Sequence, residues 1–287
     1  PFRSRPGSSS SRRDGAFPML HERPVAAGEA VPLFVDVDGT LTRADISLES
    51  FVRIARSSIT AMMAVLAWLV AGRAVAKTMA ARRDRIDAAR LPYRQEVLNL
   101  IEAAKADGRP VILASASHWR HIRHIADHLE LSDPIIATRG RANLKGSAKL
   151  AAIRARIGPD APFDYVGDSR ADCCLWRAAR QGWSVGHVPP RSAVERLAGA
   201  RTGPARSVIK AMRPHQWAKN ALVLVPAFTS GEFTKPAVLL TAVAAALLMS
   251  LIASSIYLLN DLLDIDSDRA HRTKWKRPLA PGDLSIP

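Results

Sequence analysis

The residues of this chain most suggestive of chemistry are two aspartates that follow an apolar run. Asp36 and Asp38 come directly after Val31–Val35, a run that predicts a buried parallel strand. Carboxylates at the end of such a strand are costly near a core unless a cation or a reaction uses them, and Gly39 allows a sharp turn after them. The segment therefore predicts a pocket that holds Mg²⁺ and presents Asp36 as a nucleophile. Taken alone, it also fits a charged strand end that enters a turn.

Three later segments carry further polar side chains at the edges of predicted elements. Ser115 ends an apolar strand, Lys145 opens a helix, and Asp168 and Asp172 follow another apolar strand. Each residue alone also fits a role without chemistry, as a strand-end hydroxyl, a solvated lysine or a helix-start aspartate. Because ligands of open α/β sheets bind at the carboxyl ends of the strands, we expect these side chains to converge on Asp36.

This order of motifs resembles the haloacid dehalogenase superfamily, specifically its small-capped phosphatases of the phosphoserine-phosphatase kind, over about residues 31–190. The resemblance implies that Asp36 attacks phosphorus and forms an aspartyl-phosphate. It also implies that Asp38 protonates the leaving oxygen and later deprotonates the attacking water. Ser115 would hydrogen-bond a phosphoryl oxygen.

The same resemblance implies roles for the remaining motif residues. Lys145 would neutralise the charge of the transferring group. Asp168 would hold Mg²⁺ together with Asp36 and the backbone carbonyl of Asp38, and Asp172 would orient Lys145 or the waters of the metal. A helical insertion at about residues 45–91 would be the cap that excludes water and selects the substrate.

A second group of carboxylates lies near the end of the chain. Asp261, Asp264 and Asp268 are three and four residues apart, directly after a long apolar run, so we expect them to share one helical face. Carboxylates at a membrane boundary are costly and usually functional, and aligned carboxylates suit Mg²⁺ that bridges to a diphosphate. The alternative is a charged cluster with no role beyond the membrane interface.

This pattern resembles the first aspartate-rich motif of the UbiA-type intramembrane prenyltransferases. Residues 213–220 (RPHQWAKN) and 268–278 (DRAHRTKWKRP) are more specific, and both are similar to the decaprenyl-phosphate phosphoribosyltransferase branch. The resemblance covers only residues 206–287, and it implies Mg²⁺-diphosphate binding by the aspartates. The residues that we expect to bind substrate are Lys219, Asn260, Arg269, His271, Lys274 and Arg277.

The apolar pattern between these two groups predicts an α/β fold. We expect a Rossmann-like parallel sheet with a small helical cap, followed by an all-α transmembrane segment. The predicted strands are Leu33–Asp36, Pro110–Ala114, Pro134–Thr138, Phe163–Val166 and Ser184–Val188. Within the cap, Ile59–Ala71 is an apolar run of 13 residues, which is short for a bilayer span. We expect it to be a buried cap helix, the alternative being a membrane-facing surface.

The last part of the chain predicts membrane helices at about residues 210–229 and 236–259. Residues 236–259 contain no charge, and basic clusters stand at the outer ends of the two predicted helices. By the positive-inside rule we place both outer ends in the cytoplasm. The predicted protein is thus a multi-pass protein of the cell (inner) membrane with its phosphatase domain on the cytoplasmic side. Residues 191–206 would be a linker and residues 1–30 a disordered tail.

Composition narrows the choice of partners. The 287 residues carry a net charge of +15, which suits phosphorylated substrates, an anionic membrane surface or nucleic acid. Because aromatic residues are few and no nucleic-acid-binding module is recognisable, we expect phosphorylated small molecules, polyprenyl lipid and membrane lipid as partners, and no nucleic acid. We expect a fragment of a longer enzyme, with Met19 as a possible start. The main alternative is a phosphatase-like domain that only regulates the transferase.

Overall fold

The fold is described from a computed structural model of the chain. The predicted tail lies almost wholly outside the described residues, and so does half of the predicted linker. The described residues are 30–139, 143–189, 193–197, 204–232 and 234–284.

A six-stranded parallel sheet forms the centre of the first part of the chain, in the order β3-β2-β1-β4-β5-β6. All five strand pairs are parallel, which confirms the predicted α/β fold class. The strands are β1 (Leu33–Val35), β2 (Val111–His118), β3 (Ile136–Thr138), β4 (Asp164–Gly167), β5 (Gln181–Ser184) and β6 (Glu195–Arg196).

Helices cover both faces of this sheet. The cap comprises α1 (Ile46–Ala55), α2 (Ile59–Val70) and α3 (Arg73–Arg83), and the helices on the sheet are α4 (Gln95–Ala106), α5 (Trp119–His128), α6 (Ser147–Ile157) and α7 (Cys173–Ala178). Leu33 and Val35 face the core that α4 and α5 cover, whereas Phe34 faces the core that α6 and α7 cover. This alternation follows from the two-residue period of a strand, and burial on both faces explains why β1 is apolar throughout.

The register of the strands brings the polar strand ends together. Val35 pairs with Leu113 of β2 and with Val166 of β4, so the residues that follow these three positions lie at one edge of the sheet. The fifth strand was predicted at Ser184–Val188 but lies at Gln181–Ser184. Beyond it the chain leaves the sheet, and the His187 amide donates to the Asp168 carbonyl at 2.7 Å.

The last part of the chain has one long apolar helix. Its helices are α8 (Pro204–Met212), a 3₁₀ helix (Pro214–Leu224), α9 (Val225–Thr229), α10 (Pro236–Leu263) and α11 (Ile265–Ala270). Within the described residues α10 is the one helix that is long and apolar enough to cross a membrane. The first predicted membrane helix is instead broken, because Arg213 adopts φ 52° before Pro214 and the 3₁₀ segment follows.

The cap departs from the sequence prediction at α2. We expected its apolar run to be buried, but Val65 is its only buried residue. Val65 packs with Ile54 of α1 and Ala80 of α3, and Trp68 packs against this cluster, whereas six other large apolar side chains of α2 are exposed. The helix therefore supports the three-helix cap through one narrow face only.

Candidate active site

Asp36 stands at the carboxyl end of β1 with its side chain buried. One carboxylate oxygen accepts a hydrogen bond from Lys149 Nζ at 2.7 Å, and the other accepts one from Thr40 Oγ1 at 3.3 Å. Burial raises the pKa of Asp36 to about 7; Lys149 lowers it, and the neighbouring Asp172 and Asp168 raise it further. A carboxylate so placed is costly unless positive charge meets it, which makes it a candidate for chemistry.

Asp38 lies two residues beyond Asp36 and is held by two donors. Its Oδ1 accepts from the Ile46 amide at 2.9 Å, at the start of α1, and its Oδ2 accepts from Ser115 Oγ at 2.9 Å. Ser115 Oγ in turn accepts from the Ser117 amide. The structure thus places Ser115 next to Asp38, where its hydroxyl orients that carboxyl group.

Lys149, rather than Lys145, occupies the position beside the nucleophile candidate. Lys145 is exposed, whereas Lys149 is buried within the first turn of α6. Burial opposes the charge of Lys149, but its contacts with Asp36 and Asp172 outweigh this and raise its pKa. The sequence prediction for Lys145 is therefore not matched by the geometry. The sequence signal that could have found Lys149 is its spacing from the apolar Ile153. Residues four apart share a helical face, and both residues are buried in the structure.

Asp172 supports this group from the loop after β4. Its Oδ1 accepts a hydrogen bond from the Tyr165 hydroxyl at 2.7 Å, and its Oδ2 accepts from the Ser169 amide and hydroxyl at 3.1 and 2.9 Å. Lys149 Nζ also donates to the Tyr165 hydroxyl at 3.1 Å. The sequence did not indicate a role for Tyr165 at the site, because its position inside an apolar strand is typical of a core residue.

Three carboxylates converge where a cation would fit. Oxygen atoms of Asp36, Asp168 and Asp172 all lie within 4.8 Å of one another. Burial, assisted by the charge of Asp172, raises the pKa of Asp168 to about 6. A Cβ atom on Gly39 would stand only 2.4 Å from Asp168 Oδ2, so the backbone at φ 78° leaves room that a larger residue would fill. Carboxylate oxygens are ligands that Mg²⁺ prefers, so this set fits the ion.

The cap contacts the strand that carries Ser115. Lys77 Nζ of α3 donates to the Ala116 carbonyl at 2.7 Å, and Ser47 of α1 shares a hydrogen bond with Ser117 at 2.8 Å. Together with the contact between the Ile46 amide and Asp38, these bonds attach two cap helices to the edge of the sheet where the carboxylates lie.

The second predicted cluster is an ion-pair network in this structure. Arg277 Nη1 contacts Asp261 at 3.1 Å and Asp268 at 2.8 Å, and Arg213 Nη2 contacts Asp261 at 2.6 Å. Asp261 and Asp268 are both buried. The structure thus brings two of the three aspartates together with Arg277, and it adds Arg213, which was recognised in the sequence only as part of a motif.

The other residues predicted for this cluster are exposed or contact other parts of the chain. Asp264 stands between α10 and α11 and is exposed, because the chain bends there and the three aspartates do not share one uninterrupted helix. Arg269 donates to both carboxylate oxygens of Glu49 in α1, at 2.8 and 2.7 Å. The remaining predicted residues are exposed: Lys219, Asn260, His271 and Lys274.

Comparisons with known proteins found relatives in sequence and matches among solved structures. No protein-family model matches the chain. The protein y4nM of Sinorhizobium fredii, described as uncharacterized, is 31% identical over 264 residues, which cover 89% of this chain and 51% of y4nM. The decaprenyl-phosphate phosphoribosyltransferase of Mycolicibacterium smegmatis is 48% identical over 79 residues, which cover 26% of this chain and 25% of that enzyme.

Among solved structures, the phospho-aspartyl intermediate analogue of phosphoserine phosphatase matches with a TM-score of 0.38 and 16% identity, over 63% of this chain and 98% of that one. The chain spans about half the length of y4nM and about a quarter of the transferase. As the motifs near the end of the chain predicted, a segment of about a quarter of its length is thus similar in sequence to decaprenyl-phosphate phosphoribosyltransferases.

Proposed function

We propose that the sheet domain hydrolyses phosphomonoesters through an aspartyl-phosphate on Asp36. The observation that carries the proposal is the buried contact between Asp36 and Lys149 beside Asp168 and Asp172, at the carboxyl ends of adjacent parallel strands. A nucleophilic carboxylate, a cation for the transferring group and a second carboxyl group two residues away are the parts that this reaction needs.

The first step is the attack of an Asp36 oxygen on phosphorus. The bond between phosphorus and the ester oxygen breaks, and Asp38 gives its proton to the departing alkoxide. In the second step Asp38 takes a proton from a water molecule, whose oxygen attacks the same phosphorus. The acyl-phosphate bond then breaks, and phosphate and the Asp36 carboxylate are released. Lys149 stabilises the negative charge that both transition states carry.

Mg²⁺ fits next to these residues. Asp36 and Asp168 would hold it with the backbone carbonyl of Asp38, while Asp172 supports Lys149 and the loop that carries Asp168. When bound, the ion neutralises the charge of the phosphoryl oxygens.

We also propose that this domain is tethered to the membrane as part of a longer UbiA-type enzyme. The apolar helix α10 and the part-length similarity to the transferases support this, and the basic flanks support a cytoplasmic sheet domain. By analogy with those relatives, a phosphorylated small molecule and a polyprenyl lipid are its substrates. The fused phosphatase would then act on a phosphorylated product such as a polyprenyl-phosphoryl phosphoribose.

The test is phosphate release by the whole chain in lipid nanodiscs with Mg²⁺. We expect turnover of p-nitrophenyl phosphate that Asp36→Asn abolishes, and faster turnover of lipid-linked phosphoribose than of unrelated phosphomonoesters. If unrelated phosphomonoesters are hydrolysed while the lipid-linked compound is not, the proposed substrate is wrong although the phosphatase remains. A folded protein without any turnover would contradict the phosphatase itself.

A second candidate function is regulation of the transferase without catalysis. Direct contacts between the cap and the aspartate-rich segment (residues 261–269) favour this function. Arg53 of α1 contacts Asp266 at 2.7 Å, and Arg269 contacts Glu49 of α1. If regulation is the function, Asp36→Asn in the full-length enzyme leaves cellular activity unchanged, whereas a disrupted contact changes transferase activity.

A further inference from the structure

The cap helix α2 presents a continuous apolar surface that the described part of the chain leaves uncovered. Six large apolar side chains of α2 are exposed, from 42% for Met62 and Leu69 to 90% for Val70. We propose that this surface lies in the boundary between lipid headgroups and acyl chains, beside the end of α10, so that the cap itself contacts the bilayer. The inference rests on the membrane placement of α10 proposed above.

The two faces of α2 are both apolar but have different neighbours. Ala61, Val65 and Trp68, spaced four and three residues apart, pack against α1 and α3. The opposite face repeats at the same helical spacing and carries only apolar side chains. Its exposed large residues are Ile59, Met62, Met63, Leu66, Leu69 and Val70. An exposed patch of this kind marks a membrane or protein contact rather than an ordinary water-facing surface.

Charge at the two ends of α2 favours lipid as the occupant. Residues 58–72 contain no charged side chain, and Arg56 and Arg73 flank them. The Arg83 guanidinium lies 5.1 Å from the centroid of the Trp68 ring. Arginine side chains beside an apolar helix are typical of the headgroup region, where the cation meets lipid phosphates.

A hydrogen bond between the start of α2 and the end of α10 sets the depth of α2 in the bilayer. Arg56, just before α2, donates through Nη1 to the carbonyl of Leu263, the last residue of α10, at 2.5 Å. The 28 residues of α10 extend about 42 Å, whereas the hydrocarbon core is about 30 Å thick, so its last turns emerge among the headgroups. The start of α2 is therefore held at headgroup level. With 12 residues, about 18 Å, α2 is too short to cross and suits a position along the surface.

The experiment is fluorescence quenching on the whole chain in nanodiscs that contain anionic lipid. Cys173→Ala and Cys174→Ala remove the native thiols, and single cysteines at Met63 or Leu66 then carry an environment-sensitive dye. Leu247→Cys in the middle of α10 is the membrane reference, and Glu102→Cys on α4, whose side chain is 68% exposed, is the water reference. Quenchers are brominated acyl chains for lipid contact and iodide for water contact.

We expect the dyes at Met63 and Leu66 to be quenched by brominated lipid and to be at least about five times less sensitive to iodide than the dye at Glu102, as for an interfacial helix. If Leu247 is quenched by lipid but neither α2 position is, the inference is wrong and the membrane anchor stands. Shielding of α2 from both quenchers would likewise overturn it, because a protein surface then covers the helix. If no position is quenched by lipid, the proposed anchoring itself fails.

Discussion

Lys149 Nζ lies 2.7 Å from Asp36 Oδ1, and both side chains are buried. The two residues come from α6 and the end of β1, 113 positions apart in the chain. This pair joins the nucleophile candidate to the cation that would meet the transferring phosphoryl group. Lys149 also reaches the hydroxyl of Tyr165, which is bound to Asp172, so its ammonium group is oriented from two sides.

Lys149→Ala should therefore reduce phosphatase turnover far more than Lys145→Ala. Loss of a preorganised charge at the reacting group costs about 100- to 1,000-fold in kcat. Lys145→Ala removes an equal charge from an exposed position at the same end of α6 and should change kcat by less than about threefold. The measurement is steady-state hydrolysis of p-nitrophenyl phosphate, with circular dichroism of each variant. Similar losses in both variants would contradict the assignment.

Asp38→Asn should leave a phosphorylated enzyme. The nitrophenolate of p-nitrophenyl phosphate departs without a proton, so Asp36 can still be phosphorylated, but no base remains to activate water. Rapid-quench kinetics should show a burst of nitrophenolate close to one equivalent of enzyme, followed by slow turnover. Ser115→Ala, which only removes the hydrogen bond to Asp38, should give a smaller loss and no burst. A burst of the same size in Asp36→Asn would contradict the assigned nucleophile.

The contribution of Asp36 and Asp168 to the stability of the metal-free protein should fall as pH rises from about 4 to 7. The pKa values of Asp36 and Asp168 are raised to about 7 and about 6 from the ordinary 3.8, so in this window the folded state binds more protons than the unfolded state. Their contribution to stability therefore decreases with rising pH, whereas that of His118, whose pKa burial lowers to about 4, increases. Since Mg²⁺ competes with the same protons, its stabilising effect should grow over this window. Differential scanning calorimetry at several pH values, with and without Mg²⁺, measures both. The difference between the wild type and Asp36→Asn isolates the contribution of Asp36 to both trends, because the histidines are the same in the two proteins.

Gly39→Ala should weaken Mg²⁺ binding in a way that Gly108→Ala does not. Both glycines have positive φ, 78° and 66°, so alanine strains each backbone by about 1 kcal/mol. A Cβ on Gly108 has nothing within 4 Å, whereas one on Gly39 would displace the Asp168 carboxylate. Isothermal titration should show reduced affinity for Mg²⁺ only in Gly39→Ala. Equal affinity in the two variants would argue against Asp168 as a ligand.

Arg269→Ala should destabilise the contact between the cap and the aspartate-rich segment. The side chains of Arg269 and Glu49 are only 7% and 4% exposed, and removal of one partner of a buried pair costs about 3–5 kcal/mol. Arg43→Ala breaks the pair with Asp283, whose side chains are each 23% exposed, and should therefore cost less. Hydrogen exchange of α1 and α11 checks this. The double variant Arg269→Glu with Glu49→Arg should recover part of the protection, and no recovery would contradict the pairing.

The strand ends could be predicted from sequence because local pattern controls them. An apolar run followed by Asp36 has to leave the core where its polar side chains begin, and parallel pairing then brings such ends to one edge. The predicted strand Pro110–Ala114 instead continues to His118, and Ser115 is buried within it. In the same way, the uncharged length of α10 predicts a helix able to span a bilayer, whatever it packs against.

Only the tertiary structure decided which lysine lies beside Asp36 and which face of α2 is exposed. Lys145 and Lys149 are chemically alike, and only the packing of α6 on the sheet buries one and exposes the other. The exposure of α2 likewise depends on how little of it α1 and α3 cover. Arg269 and Glu49 are 220 residues apart, so no local pattern could pair them. The sequence thus determined which residues are able to do chemistry. The tertiary structure determined which residues contact one another, because contacts between distant segments depend on the packing of whole elements.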